Sequence, residues 1–238
     1  SIGTHYNGFV FFFNCSLATL SHSSQHGVYP QKKTRVDTRQ TRPDVLARRR
    51  VWRLLLTIFS MAHHERMVHV DETGFHLWMD RTYGRAPKGK RALGLKKHRG
   101  TRYTLIAAMG RDGMRAYQLM QGGMKREDFQ QFVRHGLLPH LHPGDILVWD
   151  NLDIHYDPWV RQQLQEAAIL VLFQPPHSPE SNPIEEAFSK LKAYVRSCFP
   201  KRAKPLRQAV EQGLRTITTQ DIQGYFQHAY HNVMNWCS

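Results

Sequence analysis

A chain of 238 residues with 41% hydrophobic content is long enough for one large domain, or two small ones, around a real core. Its formal net charge of +14 points to a polyanionic partner, most often nucleic acid. Three scattered cysteines (Cys15, Cys198, Cys237) argue against a disulfide framework or zinc knuckle and suit the cytoplasm, and the apolar run GFVFFFNCSLATL at 8–20 is too short for a membrane span and lacks the basic start of a signal peptide.

Residues 1–25 are rich in Ser, His and Phe and show no helical or strand period. A basic polar stretch follows, and from Pro43 the run DVLARRRVWRLLLTIFSMA reads as a helix with Val45, Val51, Leu54, Leu55 and Phe59 as its apolar face. MVHVDE (67–72) reads as a short strand ending in acids, and FHLWM (75–79) alternates. TLIAAMGRDGMRAYQLM (104–120) reads as two strands joined at Asp112-Gly113. KREDFQQFVRHGLL (125–138) is a helix with Phe129, Phe132, Val133 and Leu137 on one side. DILVWDN (145–151) and AILVLF (168–173) read as buried strands. Between them lies a helix capped by Asp157, with Val160, Leu164 and Ala168 inward. A last helix starts at Asn182 and sets Ile184, Phe188, Leu191 and Val195 on one stripe. Antiparallel strands followed by a strand–helix–strand–helix order predict an α/β mixed sheet flanked by helices.

Such a sheet brings three acids together: Asp71 at the first strand's end, Asp150 after LVW, and Glu185 at the last helix start. Carboxylates gathered in one place repel unless a cation lies between them, and oxygen ligands of this kind suit Mg²⁺ or Mn²⁺. Two such ions activate a nucleophile and stabilise a leaving oxygen at phosphorus. Each acid also has a plainer reading. Asp71 and Asp150 suit turns. Asn182, Pro183 and Glu185 suit an N-cap, N1 and N3 of a capping box. Glu72, Asp145, Asp153 and Glu186 compete for the role. At 3.6 residues per turn, Glu185 flanks the apolar stripe by about 100°, while Glu186 lies about 200° round and points away.

The blocks HVDETGF, LVWDNLDIH and PPHSPESNPIEEAFSKLK, in this order, resemble the signature blocks of mariner-type DDE transposases, with the bacterial insertion-sequence branch nearest. The 34 residues between Asp150 and Glu185 fit that superfamily, and YGRAPKGKR (83–91) and the TLIAAM strand are similar to the branch as well. The resemblance covers roughly residues 26–200. It implies a ribonuclease-H-like fold, Asp71, Asp150 and Glu185 as the catalytic metal-binding triad, and two Mg²⁺ or Mn²⁺ ions. It further implies double-stranded DNA (transposon ends and target) as substrate and a homodimer in the active complex. Asn151, His155 and Asn182 lie in or beside these blocks and are candidates for supporting contacts. The family's helix-turn-helix units find no counterpart in residues 1–25, which are expected to be unassigned, non-native or disordered. Residues 26–62 are expected to be a basic linker and helix, and 63–238 the catalytic domain with C-terminal helices. The chain is expected to be N-terminally truncated and to act in the cytoplasm on DNA.

Two acid-free basic stretches accompany the acids. The first carries Arg81, Arg85, Lys88, Lys90, Arg91, Lys96, Lys97, Arg99 and Arg102 among four glycines. The second, from Ala187 to Val210, includes Lys190 and Lys192. Phosphate contact is the functional reading of both and a solvated surface the plain one. His63, His64 and His69 lack zinc spacing with cysteine partners. Two rival functions remain at this level: a catalytically inactive DNA-binding remnant, and a carboxylate-pair hydrolase acting on sugars, against which the basic balance argues.

Overall fold

The computed structural model of the chain describes residues 38–79, 87, 89–90 and 100–235. Its strands are β1 Met67–His76, β2 Arg102–Gly110, β3 Gly113–Gln121, β4 Ile146–Trp149 and β5 Leu170–Phe173. They form one sheet in the order β3-β2-β1-β4-β5. β1, β2 and β3 pair antiparallel, while β4 runs parallel to β1 and β5 parallel to β4. The α-helices among the described residues are α1 Pro43–His63, α2 Arg126–Gln131, α3 Pro158–Glu166, α4 Pro183–Cys198, α5 Ala203–Arg215 and α6 Thr219–Met234. This is the mixed sheet flanked by helices that the order of elements predicts.

The two-residue period of the strands divides the core. Val68, Val70, Ile106, Ala108, Leu147 and Trp149 pack on one face with Phe129, Phe132, Val160 and Leu164 from the α2 and α3 side. Phe75, Tyr103, Leu105, Ala107 and Met109 face the other way, onto Ile184, Phe188, Leu191 and Val195 of α4 and onto α5 and α6. The predicted stripe of α4 is therefore wholly buried. α5 approaches α4 so closely that a Cβ on Gly213 would stand 2.6 Å from Leu191 Cδ1. α1 closes the sheet at its β4 side, where Trp52 and Leu56 meet Met67, Ile146, Val148 and Val233.

Several local expectations shift. β1 runs on through His76, so Asp71 lies within a strand and does not end it. The reason is asymmetric pairing: β2 accompanies β1 to His76, whereas β4 leaves it after His69. The β2–β3 turn is Arg111-Asp112, since Gly110 pairs with Gly113. α1 buries Val45, Trp52 and Leu56, while Val51 and Leu54 are 58% and 61% exposed. Positions 45, 49, 52 and 56 share one helical arc, and that arc meets the sheet. Ala168 is exposed and left-handed (φ 56), because it stands beyond the end of α3. β5 is the sheet's edge and is only partly buried. The capping box at α4 does not form: the Asn182 side chain makes no capping bond.

Candidate active site

Parallel strands that share a register deliver their following residues to one edge. The β1–β4 pairing stops at His69 opposite Val148, and Asp71 and Asp150 each lie two residues further on. Asp71 stays fixed in the sheet opposite Ala107 of β2, while Asp150 is released as β4 ends. The chain then runs through α3, β5 and the proline turn and arrives at the N-terminus of α4 with Glu185. The three carboxylates line one cleft of about 320 Å³ together with Asn151, Gln174, Pro175, His177, Ser178 and Asn182.

The cleft is electrostatically tense. Burial pushes the Asp71 carboxyl up to about 8, and the charges of Glu185, Glu72 and Asp150 add to that, against a lowering bond from the Glu72 backbone. Glu185 is raised as well, by desolvation first, although its surface is largely open to solvent. The Lys192 charge and a hydrogen bond shared with Asp71 hold it down in part. Asp71 therefore favours its protonated form near neutral pH. Among the described residues no three His, Cys, Asp or Glu side chains already close around a single point as a metal cage. The donor chemistry nevertheless suits a hard divalent cation: all three groups are carboxylates, they face one cleft, and their mutual repulsion is what a cation relieves. Asp71, Asp150 and Glu185 are the residues that could hold one.

Each carboxylate has its own support. Asp71 accepts from the Glu72 N–H at 2.7 Å through Oδ1 and from Asn182 Nδ2 at 2.8 Å through Oδ2. Behind Asn182 sits His69, fully buried, its pKa lowered to about 3 by that burial. The imidazole faces Asn182, yet no bond of good geometry closes, and His69 Nδ1 and Nε2 and Asn182 Oδ1 all lack partners. Asp150 is gripped by His155, whose Nδ1 lies 2.9 Å from Oδ1 and 3.1 Å from the Asp150 carbonyl. The other ring nitrogen lies 3.5 Å from Glu72 Oε1, an ion-pair contact too poor in geometry for a hydrogen bond. Burial alone would lower the His155 pKa, but Asp150 and Glu72 outweigh it and push it up to about 9. Stacking on Trp149, with ring centroids 5.0 Å apart, fixes the imidazole plane. Asn151 is occupied elsewhere: its amide donates to the Gln174 carbonyl and accepts from Tyr156 Oη, joining the ends of β4 and β5.

The competing acids are otherwise engaged. Glu186 pairs with His228 of α6 at 2.6 Å. Asp145 pairs with Arg115 at 2.8 Å in a buried bridge. Asp153 and Glu72 line a neighbouring cleft with Arg102 and Thr104. Lys190 is committed to Asp221 at 2.6 Å, at the N-terminus of α6. That salt bridge uses the charge that the sequence pattern assigns to phosphates. Lys192 lies close enough to Glu185 to lower its pKa. Lys90 and Arg102 are exposed; Arg85, Lys88, Arg91, Lys96, Lys97 and Arg99 lie outside the described residues. Sequence reasoning missed Glu72 as partner of His155, and Arg49 of α1, which donates to Ser178, the His177 carbonyl and Glu180 in the turn before α4. Helical spacing held the signal for Arg49, which shares the buried arc of Val45, Trp52 and Leu56.

The family model for the DDE superfamily endonucleases matches residues 66–207, more than half of the chain. The chain belongs to the DDE superfamily of endonucleases. The match encloses all three carboxylates of the cleft. Solved structures agree on the fold of this DDE endonuclease. The Mos1 transposase paired-end complex with left transposon end superposes with a TM-score of 0.75 at 16% identity, over 87% of this chain and 66% of that one. The Mos1 transposase catalytic domain with Raltegravir and Mn gives 0.63 at 14% identity, over 86% and 96%. A crystal structure of the catalytic domain of Mos1 mariner transposase gives 0.59 at 14% identity, over 87% and 96%. The chain thus spans just under two thirds of the full Mos1 chain and nearly all of its catalytic domain. The sheet and its helices are the ribonuclease-H-like fold of that domain. No curated protein sequence matches.

Proposed function

We propose that this DDE endonuclease is the catalytic domain of an insertion-sequence transposase, with Asp71, Asp150 and Glu185 as its metal-binding catalytic residues. The observation that carries the reading is the single cleft lined by these three acids, supplied by β1, the end of β4 and the start of α4. Its substrate is double-stranded DNA, first the transposon end and then the target. In the first step water adds to phosphorus, the bridging 3′-oxygen leaves and takes up a proton. In the second, the freed 3′-hydroxyl attacks a target phosphodiester, and one P–O bond forms as one breaks. Two Mg²⁺ or Mn²⁺ ions, when bound, supply the polarisation of the attacking and leaving oxygens. The chain's own residues orient the donors. The Glu72 N–H and Asn182 hold Asp71, His155 holds Asp150, and the first turn of α4 holds Glu185. Exposed Arg102 and Lys90, with the basic stretch around them, supply phosphate attraction without base reading. The active assembly is a homodimer acting on DNA in the cytoplasm.

The test is nicking of supercoiled plasmid DNA. Wild-type protein nicks with Mn²⁺ or Mg²⁺ and not in EDTA. Asp150→Asn and Glu185→Gln abolish nicking, and Glu186→Gln leaves it near wild type. Nicking that persists in EDTA, or that survives Glu185→Gln while Glu186→Gln destroys it, overturns the assignment. Salt-sensitive DNA binding with no cleavage under any divalent ion would leave the inactive DNA-binding remnant as the better reading.

A further inference from the structure

Prolines narrow φ but make few contacts, so Pro175, Pro176 and Pro179 stiffen the turn before α4 without saying where it sits. A residue about 130 positions away does that. Arg49 of α1 is only 9% exposed. Its Nε donates to Ser178 Oγ at 3.0 Å, and its Nη2 donates to the His177 carbonyl at 2.9 Å and to Glu180 Oε1 at 2.7 Å. Three acceptors within four residues of the turn thus meet one guanidinium. The grip falls where the backbone is strained, since His177 sits at φ 55.

From this anchor the bonding runs unbroken to the acids. Ser178 Oγ donates to the Pro176 carbonyl at 3.1 Å. The Ser178 carbonyl accepts from Ser181 Oγ at 2.7 Å and from Ser181 N. The Pro179 carbonyl accepts from Asn182 N, and the Asn182 carbonyl from Glu185 N. Asn182 Nδ2 then reaches Asp71. One chain of contacts therefore links α1 to two of the three carboxylates.

We infer that Arg49 is a positioning residue of the carboxylate cleft, which clamps the proline turn so that Asn182 and Glu185 arrive in register with Asp71. Adhesion alone does not call for it. α1 already packs through Val45, Trp52 and Leu56, and a buried guanidinium is a costly way to add affinity between two elements. A planar fork meets acceptors in several directions at once, which a lysine ammonium on a flexible stem does not reproduce. The inference rests on the transposase reading for its consequence, but the clamp itself is a matter of structure.

The test compares wild type with Arg49→Lys, Arg49→Met and Ser178→Ala in the full chain. Two readouts are taken: Mn²⁺-dependent plasmid nicking per folded molecule, and amide hydrogen exchange. With the turn released, kcat falls about 10–100-fold, the scale on which a misplacement of about 1 Å is felt. Plasmid affinity stays within about twofold, because the phosphate contacts are elsewhere. The amides of Ser181, Asn182 and Glu185 exchange at least about tenfold faster, while Leu191 inside α4 does not change. Arg49→Met has the larger effect and Ser178→Ala the smaller. If Arg49→Met does not fold, the other two variants carry the comparison. Variants that lose melting temperature yet keep wild-type turnover per folded molecule overturn the inference, whether or not exchange quickens. So does unchanged exchange at Ser181 and Asn182. A wild type that never nicks DNA sinks the transposase reading instead, and the exchange measurement then decides the clamp on its own.

Discussion

Asp71→Asn is expected to stabilise the metal-free protein and to remove its response to metal, so that the two proteins exchange rank when Mn²⁺ is added. Asp71 titrates at about 8 in the folded chain against 3.8 for the free side chain. Between those values the folded chain holds a proton that the unfolded chain does not. Stability from this group is therefore complete below pH 3.8 and is lost as the pH climbs towards 8. Each pH unit costs about 1.4 kcal/mol, so the loss by pH 7 is about 4 kcal/mol at most, and about 2–4 kcal/mol once neighbouring side chains relax. Asparagine keeps the shape and never ionises. It offers one acceptor oxygen where Asp71 uses two, for Glu72 N and Asn182, which costs about 1 kcal/mol. The net gain is about 1–3 kcal/mol at pH 7 in EDTA. For a domain of this size that is about 3–10 °C in melting temperature. Urea denaturation of both proteins in EDTA at pH 5 and pH 8 isolates the effect, because other titrating groups cancel in the difference. With Mn²⁺ at about a thousand times its dissociation constant, wild type gains about 4.1 kcal/mol and the variant little, which exceeds the variant's advantage. A variant less stable than wild type at pH 8 in EDTA would refute the reasoning, as would equal stabilisation of both by Mn²⁺.

His155→Phe fills the stack on Trp149 and Phe129 but leaves Asp150 and the partly buried Glu72 without their partner, so unfolding free energy falls by about 1–3 kcal/mol. Because the folded His155 pKa is raised to about 9, its contribution is full below 6.5 and fades as the pH rises through 9; urea curves at pH 6 and pH 10 measure that convergence. Asp157→Ala removes the cap on Val160 N and the bonds from Arg126 and Gln130, and costs about 2–3 kcal/mol at pH 7. Against the desolvation of its burial, those three bonds hold Asp157 below the usual aspartate range. The difference from wild type is thus present at neutral pH and shrinks as acid is added through that lowered value. Replacing Lys88, Lys90, Arg91, Lys96 and Lys97 by Gln weakens duplex binding for all sequences alike. In fluorescence-anisotropy titrations it flattens the slope of log K against log salt by about 0.9 for each phosphate that is no longer neutralised. A strong preference for one duplex sequence over random DNA would contradict this.

The fold was legible wherever one period dominates. Ile184, Phe188, Leu191 and Val195 form a single stripe and all are buried. The alternation in β1 and β2 assigns Val68, Val70, Ile106 and Ala108 to one face without ambiguity. Reading failed where two solutions share a sequence. α1 carries apolar residues nearly all round, so hydrophobicity alone does not choose between the arc of Val45, Trp52 and Leu56 and that of Val51 and Leu54. The choice depends on what the helix meets, and a buried arginine lies on the winning side. The length of β1 was hidden for a similar reason. Two acids and a glycine in DETG look like the end of a strand, but antiparallel pairing with β2 satisfies the backbone of that stretch.

The same distinction separates the acids from their supports. Block order brings Asp71, Asp150 and Glu185 to one cleft because parallel register and chain direction are properties of the sequence. The groups that hold them belong to surface complementarity between distant segments, such as Arg49 with Ser178 and Glu180, or Glu72 with His155. Asn182 shows how the two levels interact. Its sequence context suits a helix cap, and its backbone does stand at the N-cap of α4. Its side chain instead spans to Asp71, 111 residues earlier. A local cap would contribute about 1 kcal/mol to one helix end. The bond to Asp71 orders a carboxyl whose ionisation is opposed by three neighbours, so the group already stands in place when a cation displaces its proton. Local propensity yields where the tertiary contact restrains the greater electrostatic strain, and that point coincides with the proposed site of chemistry.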